Sequence, residues 1–213
     1  MTALAAATAL ISYGLSHIPE IKAWFAMVLN KILHLFPDQI FFPTKQKLNK
    51  ETTLSVGKFS YRYAISFWVY LIPQPPNESP EANQFVNILS YGKKPAVLYN
   101  AANNILRIVM QSQAGKNILI TDVRDMKLQA WSNLVLNVDA TLIDVFVNGK
   151  LYTSVSSVPA VGDTTLTMGE VKGNRGYIVG IRFLNNNGSS ETITADQVRV
   201  LYETNVGKDP PTF

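Results

Sequence analysis

The side chains of this chain that could do chemistry are carboxylates, tyrosines and a row of N-terminal aromatics, because the more reactive types are scarce. There is no cysteine, and the two histidines, His17 and His34, both lie near the N-terminus. Disulfides and thiolate metal sites are therefore excluded, and a Ser-His-Asp arrangement finds no histidine in the long C-terminal body. Asp122, Asp125, Asp139, Asp163 and Glu170 are calcium ligands by type. Such a site needs several oxygens converging from loops, and no spacing among these residues is diagnostic of one. No metal and no other cofactor is expected. Tyr91, Tyr99, Tyr152 and Tyr177 could stack a sugar ring, although tyrosines on strands also serve as packing. The run Gly169–Gly176, G-E-V-K-G-N-R-G, lacks the Lys-Ser/Thr ending of a phosphate loop. Asn77-Glu78-Ser79 and Asn187-Gly188-Ser189 are glycosylation sequons in loop-like surroundings.

The N-terminus offers a different chemistry, that of an amphipathic surface. Ala3–Leu15 is apolar and small but short of the ~20 residues that span a bilayer. Pro19 then suits the first turn of a helix over residues 20–36, and Pro37 ends it. Ile21, Trp24, Phe25, Val28, Ile32, Leu35 and Phe36 fall on one face of that helix, with Lys22, Asn30, Lys31 and His34 elsewhere. Such a face can lie in a membrane interface or pack on protein. Phe41–Lys50 reads as a linker whose Lys45, Lys47 and Lys50 could meet anionic headgroups, at ~1 kcal/mol each near such a surface. Charge is distributed accordingly: residues 1–50 hold five lysines against two acids, whereas the remaining 163 residues are nearly balanced. A balanced body carries no nucleic-acid footprint.

Strands must position whatever the body does. Leu134, Leu136 and Val138 alternate with polar or smaller residues, and Ile143, Val145 and Val147 repeat the pattern. That is the period of strands with one buried face. Asn148-Gly149 follows, a pair suited to the positive φ values of a two-residue type I′ hairpin turn. Tyr61–Leu71 is apolar on both faces near its end, as a central strand is. Phe85–Tyr91, Ala96–Tyr99, Ile105–Gln111, Asn117–Thr121, Thr165–Met168 and Tyr177–Phe183 complete the series. Thr194 and Gln197 form a capping-box pattern ahead of a short helix with Val198, Leu201 and Tyr202 on one stripe. The sequence therefore predicts an all-β fold, an antiparallel β-sandwich with an apolar, amphipathic N-terminal helical segment and one short C-terminal helix. Residues 1–50 would be the helical anchor and basic linker, and residues 51–213 the sandwich.

Several stretches resemble a known superfamily. They are Y-A-I-S-F-W-V-Y at Tyr63–Tyr70, W-S-N-L-V-L-N-V-D at Trp131–Asp139, D-V-F-V-N-G-K-L at Asp144–Leu151, G-Y-I-V-G-I-R-F-L-N at Gly176–Asn185 and T-A-D-Q-V-R-V-L-Y at Thr194–Tyr202. Together they are similar to the concanavalin A-like (laminin-G-like) jelly roll of lectins and glucanases, over most of residues 55–205. Ser66–Asn77 followed by Asn87–Asn100 resembles, more narrowly, single-domain members encoded by large DNA viruses of algae and protists. Glucanases of the superfamily alternate two glutamates and an aspartate on one strand. Here Leu142–Val147 reads L-I-D-V-F-V, with Asp144 alone and Phe146 where a second carboxylate would stand. The resemblance thus implies a non-enzymatic structural or interaction protein. Its concrete form would be a minor capsid component of a virion, between the shell and an inner membrane. The N-terminal helix would then bind capsid or other shell proteins or the membrane surface. The alternative is a carbohydrate-binding, lectin-like adhesion module. Nucleic acid is not an expected partner of either.

Overall fold

A computed structural model of the chain describes residues 39–74, 83–171, 173–185 and 192–211, and by its contacts the chain divides between Asp38 and Gln39. The helix expected over residues 20–36, with Ile21, Trp24, Phe25, Val28, Ile32, Leu35 and Phe36, lies outside the described residues, as do both sequons. Among the described residues the chain forms an antiparallel sandwich of two sheets and one short C-terminal helix.

The first sheet contains β1 (Gln39–Phe42), β2 (Gln46–Lys47), β4 (Arg62–Leu71), β9 (Trp131–Asp139), β10 (Leu142–Val147), β11 (Lys150–Ser156) and β13 (Gly176–Asn185). Its order is β1-β13-β4-β9-β10-β11, with β2 also paired to β13. The second contains β3 (Thr52–Ser55), β5 (Val86–Tyr91), β6 (Ala96–Asn100), β7 (Ile105–Gln111), β8 (Asn117–Arg124) and β12 (Thr165–Met168), in the order β3-β12-β5-β6-β7-β8. The meander over β9, β10 and β11 is as the alternation predicts. Asn148 and Gly149 take φ of +51° and +76°, both positive as a type I′ turn requires.

Residues 39–50 are not a free linker. Q-I-F-F pairs with β13 in the register Gln39↔Leu184 to Phe42↔Ile181, Ile40 and Phe42 pack against the core, and Leu48 is fully buried. The sandwich therefore begins at Gln39 rather than at Glu51. The cause is the alternation of Ile40 and Phe42, which Pro43 and three lysines obscure in sequence.

Inward-facing Ile65, Phe67, Leu134, Leu136, Ile143 and Phe183 of the first sheet meet Ile88, Val97, Leu106, Ile108 and Leu166 of the second. All but Phe183 are 0% exposed, so the two inner faces make one continuous apolar core. The outer face of the first sheet is a departure from expectation. Asn133, Val135 and Asn137 of β9 are as buried as its leucines, so this strand has two buried faces, not one. The C-terminal segment covers that outer face. It contains α1 (Ala195–Glu203), whose capping box is formed as the sequence predicts: the Thr194 hydroxyl accepts from the Gln197 N–H, and the Gln197 side chain accepts from the Thr194 N–H. Tyr202 lies parallel to Trp68 with ring centroids 5.6 Å apart, and Val198 and Leu201 are buried. Each such apolar side chain stabilises the packing by about 2 kcal/mol. The amides remain satisfied as donors, Asn137 Nδ2 to the Ile193 carbonyl at 3.2 Å and Asn133 Nδ2 to the Phe67 carbonyl at 3.1 Å.

Candidate functional site

The outer face of the second sheet is open. Two rows of ladder partners cross it: Thr167, Ser90, Ala96, Val109 and Leu119 in one, and Asn87, Leu98, Arg107 and Asp122 in the other. Asn87 and Ser90 would ordinarily point to opposite faces, being three residues apart. A β-bulge between Asn87 and Leu89 buries both Ile88 and Leu89 and turns Asn87 and Ser90 outward together. Asn87, Ser90, Ala96, Leu98, Val109 and Thr167 of these rows floor a cleft of about 690 Å³, lined also by Glu51, Lys93, Gln111, Asn117 and Glu170. That volume is within the range of small-molecule sites.

Two walls raise the floor into a cleft. On one side the segment 157–163 returns over the sheet: the Gln113 N–H donates to the Val158 carbonyl and the Ala160 N–H to the Gln111 carbonyl. Lys94 pins it. Its ammonium donates to the Asp163 carbonyl and lies 4.5 Å from the Tyr91 ring and 5.0 Å from the Phe59 ring, while the whole residue is 1% exposed. Burial pulls the Lys94 amine below its usual pKa, and the nearby Asp163 charge opposes that shift. Hydrogen bonds from Thr165 hold the Asp163 carboxyl below its usual range. Gly92 is required beside this pin, since its φ is +49° and a Cβ would stand 2.4 Å from the Asp163 carbonyl oxygen. On the other side the Gly169 N–H donates to the Ile88 carbonyl. Glu170 Oε2 accepts from the Asn87 N–H at 2.9 Å, and Asn87 Nδ2 donates to the Gly169 carbonyl at 3.0 Å.

At one end the Arg107 guanidinium binds Asp122 through two bonds of 2.8 Å and stacks 3.9 Å from the Phe85 ring. The pairing raises the Arg107 pKa and lowers that of Asp122. The cleft thus presents an apolar floor with carboxylates, amides and a lysine around it. It can exchange hydrogen bonds with a polar ligand but offers no activated nucleophile.

Residues singled out in sequence lie elsewhere. Lys45 Nζ stands 4.0 Å from the centre of the Tyr177 ring and 5.5 Å from that of Trp131, Lys47 pairs with Tyr177 on β2, and Lys50 is exposed in the turn that follows. Of the candidate stacking tyrosines, Tyr91 and Tyr99 are buried, with their hydroxyls pushed up to about 12 by desolvation. Tyr152 is exposed on the edge strand β11 and donates to the Asp122 carbonyl at 3.3 Å. The carboxylates considered for calcium are dispersed: Asp122 on Arg107, Asp139 on Arg62 at 2.8 Å, Asp163 beside Thr165, Glu170 on the Asn87 N–H. Among the described residues no group of three or more acids or histidines could hold a metal ion, and no helix is long and apolar enough to cross a membrane. Asp144 has Asn137 and Ser154 as its ladder partners and accepts from the Ser154 hydroxyl, so no second carboxylate stands across from it. The sequence reading passed over the cleft because its residues are ordinary in type. The available signal was the stretch Asn87–Asn100, in which two strands are joined across Lys93-Lys94-Pro95.

The model of the concanavalin A-like lectin/glucanases superfamily matches residues 46–194. The chain belongs to that superfamily. No curated protein sequence matches it. Among solved structures, the binding domain of botulinum neurotoxin serotype G is similar, with a TM-score of 0.60 and 16% identity over 79% of this chain and 45% of that one. The binding domain of Paraclostridial Mosquitocidal Protein 1 gives 0.57 and 12%, over 78% of this chain and 46% of that one. That of botulinum neurotoxin DC, in complex with SialylT, gives 0.56 and 12%, over 80% and 48%. This superfamily member spans less than half the length of each neighbour, and likeness at such identity is one of fold. The superfamily covers lectins and glucanases, and these neighbours are binding domains.

Proposed function

We propose that this chain is a non-enzymatic, lectin-like module that binds carbohydrate in the cleft on the outer face of its six-stranded sheet. The observation that carries the reading is the cleft itself, whose floor of Ala96, Leu98 and Val109 is flanked by Ser90, Lys93, Gln111, Asn117 and Glu170. Sugars present an apolar ring face and many hydroxyls that both donate and accept, and this surface offers a partner to each. Membership of a lectin and glucanase superfamily supports it, as does the isolation of Asp144. The test is a glycan array with the full chain, alongside a Val109→Trp variant that fills the floor. Reproducible binding to a defined glycan, lost in the variant, is expected. Binding to none, or equal binding by the variant, would overturn the assignment.

A second reading concerns the N-terminus. We infer that residues 20–36 attach the sandwich to a membrane or protein shell, most concretely as a minor capsid component of a large DNA virus. The amphipathic face of Ile21, Trp24, Phe25 and Val28 supports this, together with the division of the chain between Asp38 and Gln39. The full chain should cosediment with anionic vesicles or with virus particles after a high-salt wash, and a Trp24→Asp, Phe25→Asp double variant should not. A full chain that ignores both vesicles and particles would remove the reading.

A further inference from the structure

The fixed charges around the cleft are unequal in a way that bears on which glycan it takes. We propose that the cleft is selective for uncharged oligosaccharides and discriminates against counterparts that carry a carboxylate; the inference rests on the glycan reading of the same site.

Glu51, Asp163 and Glu170 line the cleft, against Lys93 and Lys94. Among the described lining residues three acids and two bases leave one net negative charge, and the cations are less accessible to a ligand than the acids. The Lys94 ammonium is already committed: it donates to the Asp163 carbonyl between the rings of Tyr91 and Phe59. Arg107, the ladder partner of Leu98, is held by both oxygens of Asp122. Among the described lining residues that leaves Lys93, exposed at the rim on a flexible and strongly hydrated stem. The acids are held more firmly. Glu170 is fixed by the Asn87 N–H at 2.9 Å, and Asp163 by the Thr165 N–H at 2.9 Å. A sugar hydroxyl can donate to such a carboxylate, whereas a ligand carboxylate can only accept. An acidic sugar therefore forfeits those bonds and meets like charge in a partly enclosed, partly apolar site. At separations of several ångströms and an intermediate effective dielectric, this amounts to about tenfold in affinity. It should fade as salt shortens the screening length toward about 8 Å, its value at physiological ionic strength.

The experiment prints each neutral oligosaccharide beside its sialylated or uronate-containing counterpart and reads both with the full chain at low and at physiological salt. The neutral member of a bound pair should be favoured about tenfold at low salt and less at high salt. Glu51→Gln, which removes one of the lining charges with little change of shape, should narrow the gap between the two members of a pair, with the melting temperature unchanged. A preference for the acidic member that disappears in Lys93→Ala would overturn the selectivity while leaving the cleft a glycan site. Equal binding of both members at low salt would overturn it too. Silence across every pair would remove the glycan reading and this inference with it.

Discussion

The two outer faces of this sandwich start from similar materials and end in opposite states. On the seven-stranded sheet Trp68, Asn133, Val135, Asn137 and Phe146 are almost wholly buried, under a C-terminal segment that lays Tyr202 on Trp68 and the Ile193 carbonyl on Asn137. On the six-stranded sheet Asn87, Ser90, Leu98, Val109 and Gln111 stay partly exposed and floor a cleft. Both faces mix amides with aliphatics, so composition alone does not decide which is sealed. The difference is what each receives from elsewhere in the chain. The first receives a helix with an apolar stripe; the second receives two loop walls that stand at its margins. Covering one sheet with protein leaves the other as the surface available for recognition.

The contrast is confined to the outer faces, and the largest effect should show it. Tyr63 faces inward from the first sheet, Tyr91 and Tyr99 from the second, and burial raises the pKa of all three, to about 12 for the latter two. An unfolded chain releases these protons near pH 10. Between about 10 and 12 the folded state therefore binds more protons than the unfolded one, and stability falls as pH rises, by on the order of 2 kcal/mol for each of Tyr91 and Tyr99. Alkaline titration should give one transition, in which tyrosinate absorbance and loss of β-sheet circular dichroism coincide. Two separated transitions would mean that the sheets do not share a core.

The covered face should be the more costly to damage. Trp68→Ala removes a 2%-exposed indole and its stacking on Tyr202, at a cost of about 3 kcal/mol in urea unfolding. Leu98→Ala on the open face should cost about a third of that, because the side chain is already partly exposed. Equal losses would dissolve the distinction.

A smaller effect belongs to the turn beneath the helix. Asn148 has φ of +51°, accepts from the Asn133 N–H at 2.9 Å, and precedes Gly149, against which Tyr202 leans. Asn148→Val puts a β-branched residue in the left-handed region and deletes that acceptor, at about 2 kcal/mol. An unchanged melting temperature would mean that the turn does not need its asparagine.

Much of this contrast was legible in the chain, though unevenly. Alternation located the strands of both sheets from β4 onward, Asn148-Gly149 the hairpin, and Thr194 with Gln197 the cap of α1. What alternation reports is chemistry along one strand, and it does not report what lies above it. Asn133 and Asn137 read as solvent-facing because asparagine usually is. They are buried because Phe67 and Ile193 supply carbonyls for their amides, a long-range match with no local signature. The cleft was missed for a related reason: the bulge at Ile88 brings Asn87 and Ser90 onto one face against their spacing. Gln39–Phe42 falls within the expected anchor and linker of residues 1–50, because four residues are too few for a periodic signal beside Pro43 and Lys45.

The smallest stability effect is the most informative about function, and it comes from placing the same residue on each face. Val135 is 0% exposed, at the centre of the covered sheet between Ser66 and Phe146 in the ladder. An indole there has no free volume to enter, so Val135→Trp must displace Trp68, Phe146 or α1 and overpack the face, by about 2 kcal/mol. Leu98 occupies the corresponding central position of the open sheet, between Asn87 and Arg107, with the cleft above it. An indole at that point extends into space that holds no protein atoms. Leu98→Trp should therefore melt within about 0.5 kcal/mol of the parent chain, as surface substitutions do. Its consequence should be occupancy: the ring fills the floor between Asn87 and Gln111, and glycan binding is lost with the fold intact. Val135→Trp should do the reverse, lowering the melting temperature while the surviving folded fraction keeps its ligand affinity. A Leu98→Trp chain that unfolds as readily as Val135→Trp would show the cleft floor to be packed as tightly as the covered face. A stable Leu98→Trp chain with undiminished binding would place recognition outside the cleft.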